Sequence, residues 1–335
     1  MRTKTRPIDE VDSIILRTLL AESRTSFTEL AKKCGISVTA VIRRYTRLKK
    51  TGIIAGEHMY LNPLSMGYES IAEIGILTGL ENQEKVTESL KANPSVKIVS
   101  SGPTALGKYD AYCLLMAKKL NELTELVRRI DIKPYVKNLD VLIFADLWNN
   151  PWHPENIVVK PSEQEDLISN VNRLRKKFEP IILDDTDKII IKALMENSRV
   201  AFNDIAEKLK ISTANVIQRY HVLREKNVLN LSSISVDLCK LGYKAITDSY
   251  IKVENRGTLP EIQAQLLQIP NLTFCAEFVG GVYDIRVAVI ASDFQDVFHL
   301  KQRIFSIKNI KSAEFYLHEV PVPWPNDFIG QNLAI

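Results

Sequence analysis

Two stretches decide the reading of this chain: Ile36-Ser-Val-Thr-Ala-Val-Ile-Arg-Arg-Tyr45 and Ile211-Ser-Thr-Ala-Asn-Val-Ile-Gln-Arg-Tyr220, which lie 211 − 36 = 175 positions apart. In each, a serine able to cap a helix precedes Val, Ile and Tyr at helical spacing. Working outward at the same offset, Ile14-Ile-Leu-Arg-Thr-Leu-Leu-Ala-Glu-Ser-Arg24 aligns with Ile189-Ile-Ile-Lys-Ala-Leu-Met-Glu-Asn-Ser-Arg199. Between 9–54 and 184–229, 17 of 46 positions are identical. Gly67-Tyr68 recurs as Gly242-Tyr243, Gly107-Lys-Tyr-Asp110 as Gly281-Val-Tyr-Asp284, and Pro151-Trp152 as Pro323-Trp324. A period this long means that whole domains are repeated, not the short units of a solenoid.

The start of each repeat predicts three helices. Asp9–Ala21 puts Val11, Ile14, Ile15, Thr18 and Leu19 on one face. Ser26-Phe-Thr-Glu29 has capping-box spacing for a second helix, and Gly35 suits the left-handed residue that ends it. Ser37 can cap a third helix running to about Lys50, after which Gly52-Ile53-Ile54 enters a wing-like strand. In the third helix Val41, Ile42, Tyr45 and Leu48 are expected to face the core, and Val216, Ile217, Tyr220 and Leu223 repeat that stripe. The open face carries Thr39, Arg43, Thr46 and Lys50, flanked by Arg44 and Arg47. The second copy presents Thr213, Asn215, Gln218, Arg219 and His221. A short helix, a glycine turn and a longer basic helix make the helix-turn-helix pattern. Arg can bond guanine edges or phosphates, and Asn and Gln can bond adenine. Residues 9–54 hold nine Lys/Arg and five Asp/Glu (+4), and 184–229 hold eight and seven (+1). Arg2, Lys4 and Arg6 add charge to the first copy, so counterion release favours it as the stronger phosphate binder.

The rest of each repeat predicts an α+β domain. Ser70–Thr78, Val96–Ser100, Asp110–Ala117 and Lys137–Leu147 read as strands, and Asn82–Ala92 and Asn121–Ile130 as helices, giving βαββαβ, the ferredoxin-like order. The second copy repeats it from Ala245–Val253 to Lys311–Val320. Between the copies, Gln164–Phe178 places Leu167, Ile168, Val171, Leu174 and Phe178 on one helical stripe. The expected division is a first winged helix-turn-helix at 1–62 and a ferredoxin-like domain at 63–154, a linker with a helix at 155–183, and the second pair at 184–238 and 239–335. Hydrophobic residues at 45% and charged residues at 25% exclude wholesale disorder. Charged residues break every apolar run short of a bilayer span, and no secretory signal is read at the N-terminus, so no membrane role is expected. Cys34, Cys113, Cys239 and Cys275 form no CxxC pair, which fits a reducing cytoplasm without disulfides or a zinc ribbon.

A winged helix-turn-helix followed by βαββαβ with a Gly-x-Tyr-Asp turn resembles the Lrp/AsnC (feast/famine) transcription regulators, here as two copies fused in one chain. The resemblance rests on Ile-Ser-x-x-x-Val-x-x-Arg in both copies, Gly52-Ile53-Ile54, and the turns Gly107-x-Tyr109-Asp110 and Gly281-x-Tyr283-Asp284. It implies a sequence-specific binder of double-stranded DNA whose α+β domains pair through their sheets. The two copies would then form an intrachain pseudo-dimer from which higher homo-oligomers can be built. It carries DNA contact onto Ser37, Thr39, Arg44 and Arg47, and onto Ser212 and Arg219, where Val222 stands in place of the Arg47 equivalent. It also implies a small effector such as an amino acid near Gly107, Tyr109 and Asp110 and near Gly281, Tyr283 and Asp284. The family commonly writes Gly-Asp-x-Asp, whereas Lys108 and Val282 fill the first acidic place here, and Pro103-Thr104-Ala105-Leu106 is inserted ahead of the first turn.

Catalysis has little sequence support. The histidines His58, His153, His221, His299 and His318 are scattered, and no HExxH, GxSxG or phosphate-binding glycine loop occurs, so no metal or cofactor is expected. The sirohaem decarboxylases also look like paired Lrp/AsnC units with Arg- and His-rich stretches after the wing. Here that stretch holds only His58. An effector-sensing scaffold without DNA binding is the remaining alternative.

Overall fold

The structure is a computed structural model describing residues 8–93, 95–101, 105–106, 108–131, 133–145, 153–158 and 180–325. The basic arm at Arg2–Arg6, Gly107, Pro151-Trp152 and the stripe at 164–178 fall outside the described residues. Each copy opens with three helices: α1 (Glu10–Ala21), α2 (Phe27–Cys34) and α3 (Val38–Lys50), then α6 (Asp185–Glu196), α7 (Phe202–Leu209) and α8 (Thr213–Glu225). Ser26 and Ser37 cap α2 and α3, and Gly35 ends α2 at φ 64. The reciprocal capping box lies elsewhere than expected, at Asp9/Asp12 on α1 and Asp184/Asp187 on α6. Ser26 receives only the Glu29 amide.

The strand after each third helix, β1 (Ile54–Leu61) and β7 (Leu229–Val236), is not a wing of its own head. The two strands pair antiparallel with each other. Their register follows a two-fold: Ile54 faces Val236, Leu61 faces Leu229, and His58 faces its own repeat counterpart Ser233. The same pseudo-axis passes through Ser23, whose hydroxyl lies 2.6 Å from that of Ser198, its counterpart at 175. Around it the contacts are reciprocal, as in an isologous dimer. Arg24 donates to the carbonyls of Ser198 and Val200 and stacks over Phe202. Arg199 donates to those of Ser23 and Thr25 and stacks over Phe27.

The α+β domains are β2 (Ser70–Leu77), α4 (Gln83–Lys91), β3 (Val96–Ser101), β5 (Ala111–Ala117), α5 (Leu120–Asp131) and β6 (Asn138–Phe144), then β8 (Ala245–Val253), α9 (Leu259–Leu266), β9 (Leu272–Val279), β10 (Ile285–Ala291), α10 (Phe294–Ser306) and β11 (Ile310–Glu319). The inserted Ala105–Leu106 forms a further short strand, β4. Among the described residues these strands make one sheet ordered β3-β5-β2-β6-β9-β10-β8-β11-β4. Each copy keeps the ferredoxin-like order, and the copies meet where Phe144 on β6 pairs with Phe278 on β9 and where His318 on β11 pairs with Ala105 on β4. No helix among the described residues is long and apolar enough to cross a membrane.

The cores interlock the halves. The first head packs Ile15, Leu19, Val41 and Leu48 with Val236, Leu238, Ile290 and Trp324 of the second copy. The second head packs Ile190, Leu194 and Val216 with Met59, Leu61, Ile71 and Met116 of the first. Trp324 is buried and its backbone bonds that of Val236 in both directions, so the Pro-Trp segment leaves the sheet and closes the first head. A buried seam lies between the two copies' α+β domains. Tyr109, Tyr112, Tyr250, Tyr283, Tyr316 and Phe278 cluster around Leu142. Beside them Arg286 donates to Glu73 at 2.8 Å and to Asp248 at 3.0 Å, and His318 lies 3.0 Å from Asp248. Glu73 and Asp248 are repeat counterparts (248 − 73 = 175), and Tyr112 occupies the Arg286 place in the first copy. One arginine therefore serves both acids. Two copies of the first half would bury the two glutamates with no cation between them, an uncompensated cost that favours joining unlike halves.

Candidate nucleic-acid interface

The third helix of each head presents an outward face because its apolar stripe is only partly covered, with Tyr45 and Tyr220 half-buried against the cores. Val41 and Leu48 are buried, as are Val216 and Leu223. Ile42 and Ile217, expected in the core, are instead 43% and 36% exposed. The helix packs on a short α2 or α7, too narrow to cover a whole 3.6-period stripe.

On α3, Thr39, Arg43, Thr46 and Lys50 are exposed, and Ser37 is engaged as the cap, accepting from the Ala40 amide at 3.2 Å. Arg44 and Arg47 turn inward. Arg44 bonds Asp9 at 2.7 Å and Asp12 at 2.9 Å, and Arg47 pairs with the same fully buried Asp12. Burial opposes ionisation of Asp9, but Arg44 outweighs it and holds that carboxyl below its ordinary value. On α8 the arrangement repeats: Arg219 bonds Asp184 at 2.7 Å and Asp187 at 2.8 Å. The amide of Asp187 and Arg219 together keep Asp184 ionised below the usual range. The sequence offered a signal for this clamp that periodicity alone does not use, since Asp9, Asp12 and Arg44 all recur at the repeat offset.

The remaining face of α8 differs from that of α3. Asn215 accepts from Arg219 at 3.1 Å, Thr213 donates to Asn203 at 3.1 Å, Ser212 caps the helix, and Gln218 is exposed. At the positions of exposed Arg43 and Lys50 stand Gln218 and Glu225, also exposed. The second helix of this head is also poorly ended. Ala201 gives no side-chain cap where the first copy has Ser26, and Lys210 adopts φ 56 where the first copy has Gly35.

The two Gly-x-Tyr-Asp turns are bound up in the fold. Asp110 accepts from the amides of Thr78 and Gly79, both at 2.8 Å. Asp284 is buried, accepts from the Val253 amide at 3.0 Å and Lys252 at 3.2 Å, and pairs with Arg256. Tyr109 donates to Asp140, and Tyr283 is buried against Tyr250. Gly281 sits at φ 72, where an added Cβ would lie 2.6 Å from the Val141 carbonyl of the other copy. Thiol chemistry finds no setting in the sheet, since burial pushes the Cys275 thiol up to about 12 and raises Cys113 further. Among the described residues no His, Cys, Asp and Glu cluster could hold a metal ion.

Comparison with known proteins agrees with this construction. Residues 8–55 match the model for a winged helix-turn-helix DNA-binding domain, and 183–224 match the AsnC-type helix-turn-helix domain. The chain is 34% identical over 116 residues to the HTH-type transcriptional regulator Ptr1 of Methanocaldococcus jannaschii, covering 35% of this chain and 76% of that one. It is 46% identical over 84 residues to the HTH-type transcriptional regulator LrpA of Pyrococcus horikoshii, a stretch that is 25% of this chain and 60% of LrpA's own length. A solved structure of the siroheme decarboxylase NirDL shares the fold end to end, with TM-score 0.63, 17% identity and 96% of both chains covered.

Proposed function

Because this chain belongs to the Lrp/AsnC family of helix-turn-helix regulators, we propose that it binds duplex DNA in a sequence-specific way, with two unequal heads carried on one interlocked pseudo-dimer. The observation that supports this best is the reciprocal contact at Ser23, Arg24, Ser198 and Arg199, which fixes the two recognition helices against each other. Two heads fixed by a two-fold suit half-sites about one helical turn apart. Thr39, Arg43, Thr46 and Lys50 form the main reading face. Gln218, His221 and Asn215 form a weaker one, whose Glu225 repels phosphate. Arg44, Arg47 and Arg219 hold α3 and α8 in place and act on DNA through that positioning. Asp110 and Asp284 are read as turn residues of the seam. An amino-acid effector at these turns would displace their present bonds, so effector control is a finer part of the proposal.

The test is selection of bound sequences from a random duplex pool, followed by footprinting. Unlike half-sites, one strongly and one weakly protected, are the expected result. A perfect palindrome would mean equivalent heads from two chains and would overturn the unequal-head reading. A tetrapyrrole decarboxylase is the second reading, favoured by the end-to-end fold shared with NirDL. It requires the chain to take up an iron tetrapyrrole with a shifted absorption band, and on the DNA reading no such band appears.

A further inference from the structure

The segment past the last strand of the first copy fills a groove of the second. A single 3-10 turn, Pro154–Val158, packs between α1 and β9. Ile157 is fully buried and shares the core of the first head with Ile290 and Trp324. Its carbonyl accepts from the Tyr243 hydroxyl, which also lies 3.4 Å from the Asn271 side chain. His153 donates through its amide to the Thr273 carbonyl, and Asn156 through its side chain to the Leu272 carbonyl, both at 2.8 Å. The same place on the first α+β domain is a cleft of about 560 Å³, whose walls include Tyr68, Ser95, Met116 and Leu126. Tyr68 and Met116 are the repeat counterparts of Tyr243 and Ile290. The two grooves are built alike. The Met116 amide donates to the Ser95 carbonyl at 3.2 Å, as the Ile290 amide does to the Asn271 carbonyl at 3.1 Å.

We infer that this cleft is the docking site of the chain's own residues 326–331, with Ile329 serving the second head as Ile157 serves the first. Sequence names the occupant. Pro323-Trp324 follows Pro151-Trp152 at 323 − 151 = 172, and the same offset sets Asp327 on Glu155 and Ile329 on Ile157 (329 − 157 = 172). The path leads there. Trp324 lies antiparallel to Val236 and bonds it in both directions, so the chain beyond runs along β7 toward Leu229. The Pro325 carbonyl already accepts from Tyr60, near that end of the ribbon, at 2.9 Å. Leu229 and Met116 belong to the core of the second head. Five extended residues from Trp324 to Ile329 span about 16 Å, the length of β7 from Val236 to Leu231. The second head is also the less covered one. Leu20 on α1 is fully buried and Ile14 half-buried, whereas their counterparts on α6, Met195 and Ile189, are half-buried and 36% exposed. Pro325 and Phe328 stand at the places of His153 and Asn156, so their two hydrogen bonds are not repeated. Docking rests instead on burial of Phe328 and Ile329, and Ser95, smaller than Asn271, leaves room for the ring. The inference is independent of the DNA reading.

Amide hydrogen exchange of the full chain, read peptide by peptide, tests it. In Ile329→Asp, exchange is expected to quicken about tenfold or more in α6 and around Tyr68 and Met116, through local opening. Peptides from α1 and around Tyr243 are expected to keep wild-type rates, since Ile157 still fills their groove. Ile329→Val is expected to keep wild-type protection throughout, and a chain shortened after Pro325 to behave like Ile329→Asp. Equal exchange in the wild type and Ile329→Asp overturns the inference. So does a loss of protection spread evenly over both heads, which is general destabilisation. Protection of α6 that grows with protein concentration also overturns it, because the segment then docks on another chain.

Discussion

Replacing Arg44 separates a clamp from a reader. Asp12 is fully buried and is held by Arg44 at 2.9 Å and by Arg47, while Asp9, at 38% side-chain exposure, can be rehydrated. Arg44→Ala removes one of two cations from the buried carboxylate. The cost therefore lies between that of a surface pair, about 0–1 kcal/mol, and that of a broken buried pair, about 3–5 kcal/mol. We expect about 2 kcal/mol, and about 3–5 kcal/mol for Arg44→Ala with Arg47→Ala, which leaves Asp12 with neither arginine. The equivalent Arg219→Ala costs less, about 1 kcal/mol, because Asp187 and Asp184 are 15% and 54% exposed. Denaturant titration reads these values, and the Asp12→Ala, Arg44→Ala cycle isolates the coupling. If Arg44→Ala unfolds like the wild type while its DNA affinity falls at least tenfold, Arg44 is a reader and the clamp account is wrong.

Other consequences follow from single positions. Ala201→Ser restores a missing cap on α7 and Lys210→Gly relieves a left-handed lysine; each should raise stability by about 1 kcal/mol in thermal melts. Gly280 and Gly281 share nearly the same φ, 76 and 72, but only at Gly281 does an added Cβ meet backbone. Gly280→Ala should cost about 1 kcal/mol, and Gly281→Ala about 3 kcal/mol through the added clash with Val141, with the difference seen in denaturant midpoints. Burial raises the Asp248 carboxyl, but Arg286 and His318 outweigh it and hold the group below its ordinary value. Its contribution is therefore complete above the unfolded value of about 4 and is lost as pH falls through the lower folded value. Urea midpoints from neutral pH to about pH 3 should fall in the wild type and flatten in Arg286→Met, where the buried Asp248 gains from protonation.

Much of the fold was legible because its signals are local. The caps at Ser26, Ser37 and Ser212 and the left-handed Gly35 depend on residues near one another in sequence. What was not legible depends on which element covers which. Periodicity put Ile42 on the apolar face but could not say that α2 is too short to reach it. It put Arg44 on the polar face but could not say that α1 offers two carboxylates there. Strand β1 reads as a wing until its register with β7 is known, because pairing across 175 residues leaves no mark in a local window. The seam was hidden for the same reason, since Glu73 and Arg286 lie 213 positions apart.

The central claim is that one head of this chain dominates DNA binding through exposed side chains of α3. Gel-shift titration of Arg43→Ala and Gln218→Ala at matched salt, on a duplex selected by the wild-type chain, measures it most directly. The account predicts a loss of about 1–3 kcal/mol for Arg43→Ala with a shallower salt dependence, and less than half that for Gln218→Ala with the salt dependence unchanged. Equal losses from the two substitutions, or a larger one from Gln218→Ala, would contradict it.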